Sequence, residues 1–240
     1  VIPEDLTADL NISMYSQYIW RGLELSRDSV VFFPTLTVGY KGFAVNLWAD
    51  LDTNFGTGNE ERHFKLQETD VTVTYSNSYK PWKLNYTLGW ILYDYQPVAA
   101  TDSRIVDTKN QEVFLTLGLD MILKPTLSIY NEIETGHAMY FSLGLSHSLA
   151  VYKDWSLDMA GWVSYLENHS TAHFSNFHDG NISAGLKIPL NNNVSIKPNI
   201  QYSFPLSGDA SRRIRDNSDA LFHHRQDNFV YGGIILDVAI

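Results

Sequence analysis

Hydrophobic and polar residues alternate with period two along most of this chain. At the start, Leu6, Ala8, Leu10, Ile12, Met14 and Tyr18 share one face, and Thr7, Asp9, Asn11, Ser13, Tyr15 and Gln17 share the other. Side chains of a strand point alternately to its two faces, whereas a helix repeats at three and four, so this spacing predicts a strand from about Leu6 to Trp20. The same rule predicts strands at about Val30–Tyr40, Phe43–Thr53, Phe64–Ser76, Trp82–Tyr95, Gln111–Met121, Thr126–Thr135, Ala138–Leu149 and Trp155–Leu166. A tenth ends at Pro189-Leu190, and Val194–Phe204 and Asn228–Ile240 complete the series. Pro34 has no amide donor, which predicts a gap or bulge in the second strand.

The count is about twelve, and the connections alternate in length. Those at Lys41, Asn77, Lys124, Tyr152 and Asn191 are short. Those after strands one, three, five, nine and eleven are long, and only the link at Gly136-His137 breaks the alternation. Membrane barrels have short turns at one end and long loops at the other. The expected fold is therefore all-β: a single up-and-down antiparallel transmembrane β-barrel, one domain over residues 1–240. The most apolar strand is the last. A closed barrel would pair it with the first and leave no sticky edge.

Composition narrows the function. No apolar run approaches the ~20 residues of a spanning helix. Without cysteine there are no disulfides and no thiolate metal sites. A net charge of −10 argues against nucleic acid as a partner. Aromatic residues, at 13%, suit the two interfacial belts of a membrane protein. The expected surroundings are a lipid bilayer and lipopolysaccharide, and the opening Val1-Ile2-Pro3-Glu4 reads as a mature N-terminus left by signal-peptide removal.

Two stretches carry a family likeness. Ser16-Gln17-Tyr18-Ile19-Trp20-Arg21-Gly22 resembles the S-x-Y-x-x-R-G signature of a family of uncharacterised bacterial outer-membrane barrels. The stretch from Ile129-Tyr130-Asn131-Glu132 to Gly144-Leu145-Ser146-His147-Ser148 is similar to a later hairpin of that family. In the last strand, Tyr231-x-Gly233-x-x-Leu236-x-Val238 resembles the C-terminal strand signal of outer-membrane barrels. The resemblance implies an outer-membrane barrel and supplies no catalytic residues. Barrels of this size include diffusion channels and a phospholipase, so fold alone leaves function open.

Four groups of residues carry candidate chemistry. The inward faces collect Asp9, Asp50, Asp52, Glu68, Asp70, Glu112, Asp120, Glu132, Glu134, Asp158 and Asp237 against Arg21, Lys83, Lys187 and Lys197. In a wet lumen this excess of carboxylates attracts cations; in a dry one the same groups pair with each other. His169, His173 and His178 are candidate metal ligands at one predicted outer loop. Ser146-His147-Ser148 suggests hydrolysis, but neighbours on a strand face opposite ways, so His147 activates neither serine. The connection Pro205–Asp227 carries Arg212, Arg213, Arg215 and Arg225 among four aspartates. It could fold inward as a constriction, bind lipopolysaccharide phosphates, or dock a protein partner.

The leading expectation is a narrow passive, porin-like channel for small neutral or cationic solutes, needing no cofactor. The alternative is a closed barrel whose outer loops present a binding surface. A third is an outer-membrane hydrolase.

Overall fold

A computed structural model describes residues 5–55, 63–95, 109–134, 136–168 and 173–239. The strands are β1 (Leu6–Tyr15), β2 (Ile19–Trp20), β3 (Leu23–Glu24), β4 (Val31–Tyr40), β5 (Phe43–Phe55), β6 (His63–Tyr79), β7 (Leu84–Tyr95) and β8 (Lys109–Leu119). They continue with β9 (Thr126–Glu132), β10 (Met139–Tyr152), β11 (Trp155–Asn168), β12 (Phe174–Pro189), β13 (Val194–Pro205) and β14 (Phe229–Ala239). A helix, α1 (Gly208–Phe222), precedes the last strand.

Twelve strands close into an antiparallel barrel, and β2 and β3 form a separate small ribbon. The wall is sealed by β1 against β14, from Asp9 opposite Ala239 to Tyr15 opposite Gly233. The ladder from β4 to β5 skips Phe33 and Pro34, as the missing proline amide requires. Lys41 and Gly42 both have positive φ (50° and 86°), the turn geometry that matches the twist of a two-residue hairpin.

Alternation sets the two faces of the wall. Leu36, Val45, Leu47, Leu88, Leu143, Ile182 and Ile200 are exposed outward as a continuous apolar band. Tyr40, Phe43, Tyr79, Trp82 and Tyr152 ring the short-turn end, and Phe64, Phe177 and Tyr202 lie toward the other. An apolar belt with aromatic girdles is the exterior of a barrel built to sit in lipid.

The structure corrects the sequence reading at several elements. The first strand ends at Tyr15, not Trp20. The Ser16 amide donates to the Gly232 carbonyl (2.9 Å) and its hydroxyl accepts from the Gly232 amide (3.2 Å), which ends the seam. The chain then turns into the barrel and forms the ribbon. Pro205–Asp227 is largely helix: Ser207 caps it by accepting from the Ala210 amide (3.1 Å), and Ala210, Ile214 and Ser218 bury one stripe. Strand β12 begins at Phe174, so His178, expected at an outer loop, lies within a strand. Lys83 and Asp120 lie in short turns and Glu134 in the β9–β10 link, all three exposed, so none lines the wall. The strand period carries through these positions on paper, but the backbone has already turned.

Candidate functional site

The long-loop end of the barrel is filled from within. Ribbon and helix meet at Glu24, a fully buried carboxylate. It accepts from Gln17 Nε2 (2.5 Å), from Arg27 Nε (2.8 Å) and Nη2 (3.2 Å), and from the Ser218 hydroxyl of α1. Four donors satisfy a charge that would otherwise be costly to bury. Around it Ile214, Phe229 and Tyr231 pack with Tyr15, Ile19 and Leu23.

Arg21, at the tip of the ribbon, spans the lumen. Its two terminal nitrogens donate to the two oxygens of Glu112 on β8, each at 2.7 Å. The guanidinium carbon lies 4.5, 4.8 and 4.4 Å from the ring centres of Trp20, Tyr130 and Tyr140. Tyr93 also donates to Glu112, at 3.0 Å. A bidentate charge pair boxed by three rings is a stiff cross-member.

The wall opposite Arg21 carries a bulge. On β12, His178 and Asp179 together face Ser164 of β11, so both side chains point inward. Asp179 accepts from Tyr140 (3.0 Å) and Ser164 (2.6 Å). His178 is 1% exposed, its ring edge-on to Phe174.

Among the described residues, three adjoining cavities follow one another along the barrel. One near the short turns, about 310 Å³, is lined by Ser146, Ser148, Asp158, Lys197, Tyr15 and Gln201. Tyr15 and Gln201 also line the middle cavity, about 610 Å³, with Tyr18, Trp48, Asp70 and Tyr130. Trp20, Arg21 and Tyr140 in turn separate the middle cavity from an outer one, about 400 Å³, which reaches Asn168, His178 and Arg213.

The structure gathers some predicted lining residues and scatters others. Asp50 and Glu68 face each other across the β5–β6 ladder, with Asp70 next along the wall. Tyr18 donates to Glu68 at 3.2 Å. Burial, reinforced by Glu68 and Asp70, pushes the Tyr18 phenol well above its ordinary pKa, so it remains a donor. One oxygen each of Asp50 and Asp70 has no hydrogen-bond partner. Asp52 lies opposite Lys65. Asp158 pairs with Lys197 at 3.8 Å, and Asp237 accepts from Asn11. Asp9 and Lys187 stand nearer the short-turn rim, and Glu132 is buried at the end of β9. Glu134 instead accepts from Gln111 at the rim (3.2 Å).

The arginines of α1 diverge as helix geometry requires. Arg212 faces Asp209 (3.9 Å) on the exposed side, and Arg215 pairs with Asp227 (2.7 Å). Arg213 turns inward over Phe174, at 5.6 Å. The histidine candidates do not converge. His169 lies outside the described residues, His173 is exposed just before β12, and the bulge carries His178 inside. Among the described residues no three His, Asp or Glu side chains are placed to hold a metal. His147 bonds the Ile122 carbonyl (2.8 Å), while Ser148 donates to Asp158 (2.7 Å).

Glu24 and Asp179 escaped the sequence reading. Glu24 sits in a stretch read as polar connection, and Asp179 becomes inward only through the bulge. The signal for Glu24 was the concentration of charge directly after Arg21-Gly22.

Residues 3–196 match the family described as "Bacterial protein of unknown function (Gcw_chp)". No curated protein sequence matches the chain. Among solved structures, an outer-membrane channel from Pseudomonas putida F1 aligns with a TM-score of 0.54 at 10% identity, covering 100% of this chain and 97% of that one. This likeness supports the barrel fold. OprB of Pseudomonas putida aligns at 0.38 and 11% identity over 91% of this chain and 61% of that one. The outer-membrane channel DcaP of Acinetobacter baumannii aligns at 0.35 and 7% over 98% and 96%.

Proposed function

The chain belongs to the Gcw_chp family of bacterial proteins, and on that premise we propose that it is an outer-membrane barrel acting as a narrow passive channel for small neutral or cationic solutes. The observation that carries this reading is the succession of three cavities inside the wall, adjoining at Tyr15–Gln201 and at Trp20–Arg21–Tyr140. A barrel serving only as a scaffold would fill its interior with side chains. The middle cavity has the size of a small-molecule site. Beside it Asp50 and Asp70 keep unpaired oxygens, acceptors that suit cations better than anions. The apolar outer band supports a bilayer setting, and in this reading Arg212, exposed on α1, would meet lipopolysaccharide phosphates.

One observation favours a second reading. The ribbon and α1 occupy the long-loop mouth with buried, satisfied charges at Glu24 and Arg21. A permanently closed barrel presenting its outer surface to a protein partner would be built this way.

Planar bilayers separate the two. The channel reading expects stepwise conductance with a cation-selective reversal potential under a KCl gradient. A silent trace from correctly folded protein overturns it and leaves the closed barrel.

A further inference from the structure

Arg213 lies on the buried face of α1, between Ala210 and Ile214 on one side and the β12 wall on the other. Every other arginine of the helix and the link after it has an acid: Arg212 has Asp209, Arg215 has Asp227, and Arg225 has Asp216 and Asp219. Arg213 has none among the described residues, and its Nε is buried without a hydrogen-bond partner. Burial pushes its pKa down. The Phe174 face offsets only part of the desolvation.

Among the described residues, the cavity onto which it opens has no carboxylate to spare. Glu112 is held by both nitrogens of Arg21 and by Tyr93. Glu132 is engaged as well, accepting in part from the Ala138 amide (3.4 Å). A second orphan faces the same space: Nδ1 of His178, on a side chain 1% exposed, has no partner, and because the ring is neutral and bonds the Arg21 backbone, it is an acceptor open to a hydrogen-bond donor on the solute. The other walls are flat and largely apolar, from Trp20, Tyr95, Tyr140 and Leu166.

We propose that the outer cavity binds a small organic acid, its carboxylate paired with Arg213, its carbon skeleton against Trp20 and Tyr140. A guanidinium with a free edge matches a planar carboxylate. A cavity of about 400 Å³ takes one small solute. With the acidic middle cavity below, the site selects for solutes that carry a carboxylate and a neutral or cationic remainder. That last step rests on the channel reading; the binding itself does not.

Calorimetry on the full chain in detergent tests it, with sodium benzoate as probe, benzamide as its uncharged isostere and inorganic phosphate as the competing oxyanion. Benzoate is expected to saturate one site and to bind at least about tenfold tighter than benzamide, a difference typical of losing a charge-assisted pair. Arg213→Met should abolish the preference for benzoate, while Arg212→Gln keeps it. Without probe, Arg213→Met should unfold at higher denaturant than wild type, because it removes an unpaired buried charge. With probe, wild type alone should gain stability. Equal binding of benzoate and benzamide, benzoate binding intact in Arg213→Met, or binding of phosphate alone would each overturn the proposal. Benzoate binding by a barrel that does not conduct removes the channel and keeps the site; conductance without benzoate binding does the reverse.

Discussion

Arg21 and Glu112, 91 residues apart in sequence, share two hydrogen bonds of 2.7 Å inside the barrel. The side chains are 15% and 5% exposed. Removing one partner of a buried pair strands the other charge and costs about 3–5 kcal/mol, while replacing both by apolar groups costs much less. Glu112→Gln should therefore lower unfolding stability by about that amount, and Arg21→Met with Glu112→Leu should recover most of it. Denaturant titration in micelles reads the difference. If the double variant is as weak as the single ones, the pair is not the cross-member described here.

Gly22 follows Arg21 with φ of +78°. A Cβ there would lie 2.8 Å from Cβ of Asp179 and 3.2 Å from Cδ1 of Ile214. The residue joins a backbone conformation that L side chains resist to a contact with both the β12 bulge and α1. Gly22→Ala should cost about 1–3 kcal/mol. It should also unseat the ribbon, seen as faster proteolysis in the ribbon segment. A variant as stable and as protease-resistant as wild type would mean the ribbon does not pack as placed.

The barrel wall was legible because its physics is local. Apart from the β1–β14 seam and the ribbon set between β1 and β4, every strand of the wall pairs with its sequence neighbours, and alternation alone sets which side chain faces lipid, so Leu47 and Asp50 sort themselves without tertiary knowledge. The plug was not legible, because its residues earn their places through distant partners. Tyr18 and Trp20 continue the strand period of β1, and nothing local shows that their partners are Glu68 and Tyr93. The helix hid for a related reason: its buried stripe is only Ala210, Ile214 and Ser218, too little apolar surface to raise a period of 3.6. Of the predicted lining acids, Asp50, Glu68 and Asp70 came together because they lie on adjacent strands, whereas Asp120 and Glu134 were lost to turns whose start alternation does not mark.

Asp227 anchors the end of the helical segment. It accepts from Ser211 (2.6 Å), from Asn228 (2.5 Å) and from Arg215 (2.7 Å as an ion pair). Burial alone would raise its pKa, but these donors outweigh that and hold the carboxyl below its ordinary value. A carboxyl depressed on folding adds stability above its unfolded pKa of ~3.9, and the gain disappears as pH falls through the folded value. Asp227→Asn should thus be on the order of 1 kcal/mol less stable at pH 7, a small figure because Arg215 is half exposed. The two proteins should converge once the pH has fallen below the depressed folded-state pKa of Asp227. Parallel stability curves down to that pH would show that the charge of Asp227 is not what matters.

Leu47 tests whether the outer band faces lipid. It projects from the middle of β5 with 48% of its surface exposed. On a water-soluble barrel, arginine there would change stability by less than about 0.5 kcal/mol. In a bilayer the same substitution costs roughly 2–4 kcal/mol near the midplane. Unfolding of Leu47→Arg from liposomes should show the larger figure, and a near-zero cost would contradict a membrane wall at this face.

The carboxylates of β5 and β6 make the sharpest statement about transport. Asp50, Glu68 and Asp70 sit within one patch beside the middle cavity, and among the described residues no arginine or lysine bonds to them. Three carboxyls this close share protons rather than all ionising, and one ionised member about 7 Å from a passing ion in water is worth about 0.6 kcal/mol, roughly a threefold change in local ion concentration. Screening shortens that reach to about 10 Å at 0.1 M salt, so the effect is largest when salt is low. Asp50→Asn, Glu68→Gln and Asp70→Asn combined should lower the K⁺ over Cl⁻ permeability ratio at least about threefold in dilute KCl. Asp94→Asn, on the outer side of the wall beside Lys109, should leave the ratio alone. Reversal potentials measure both. If the triple variant keeps the wild-type ratio, ions do not pass this patch, and the cation preference has to come from another part of the wall.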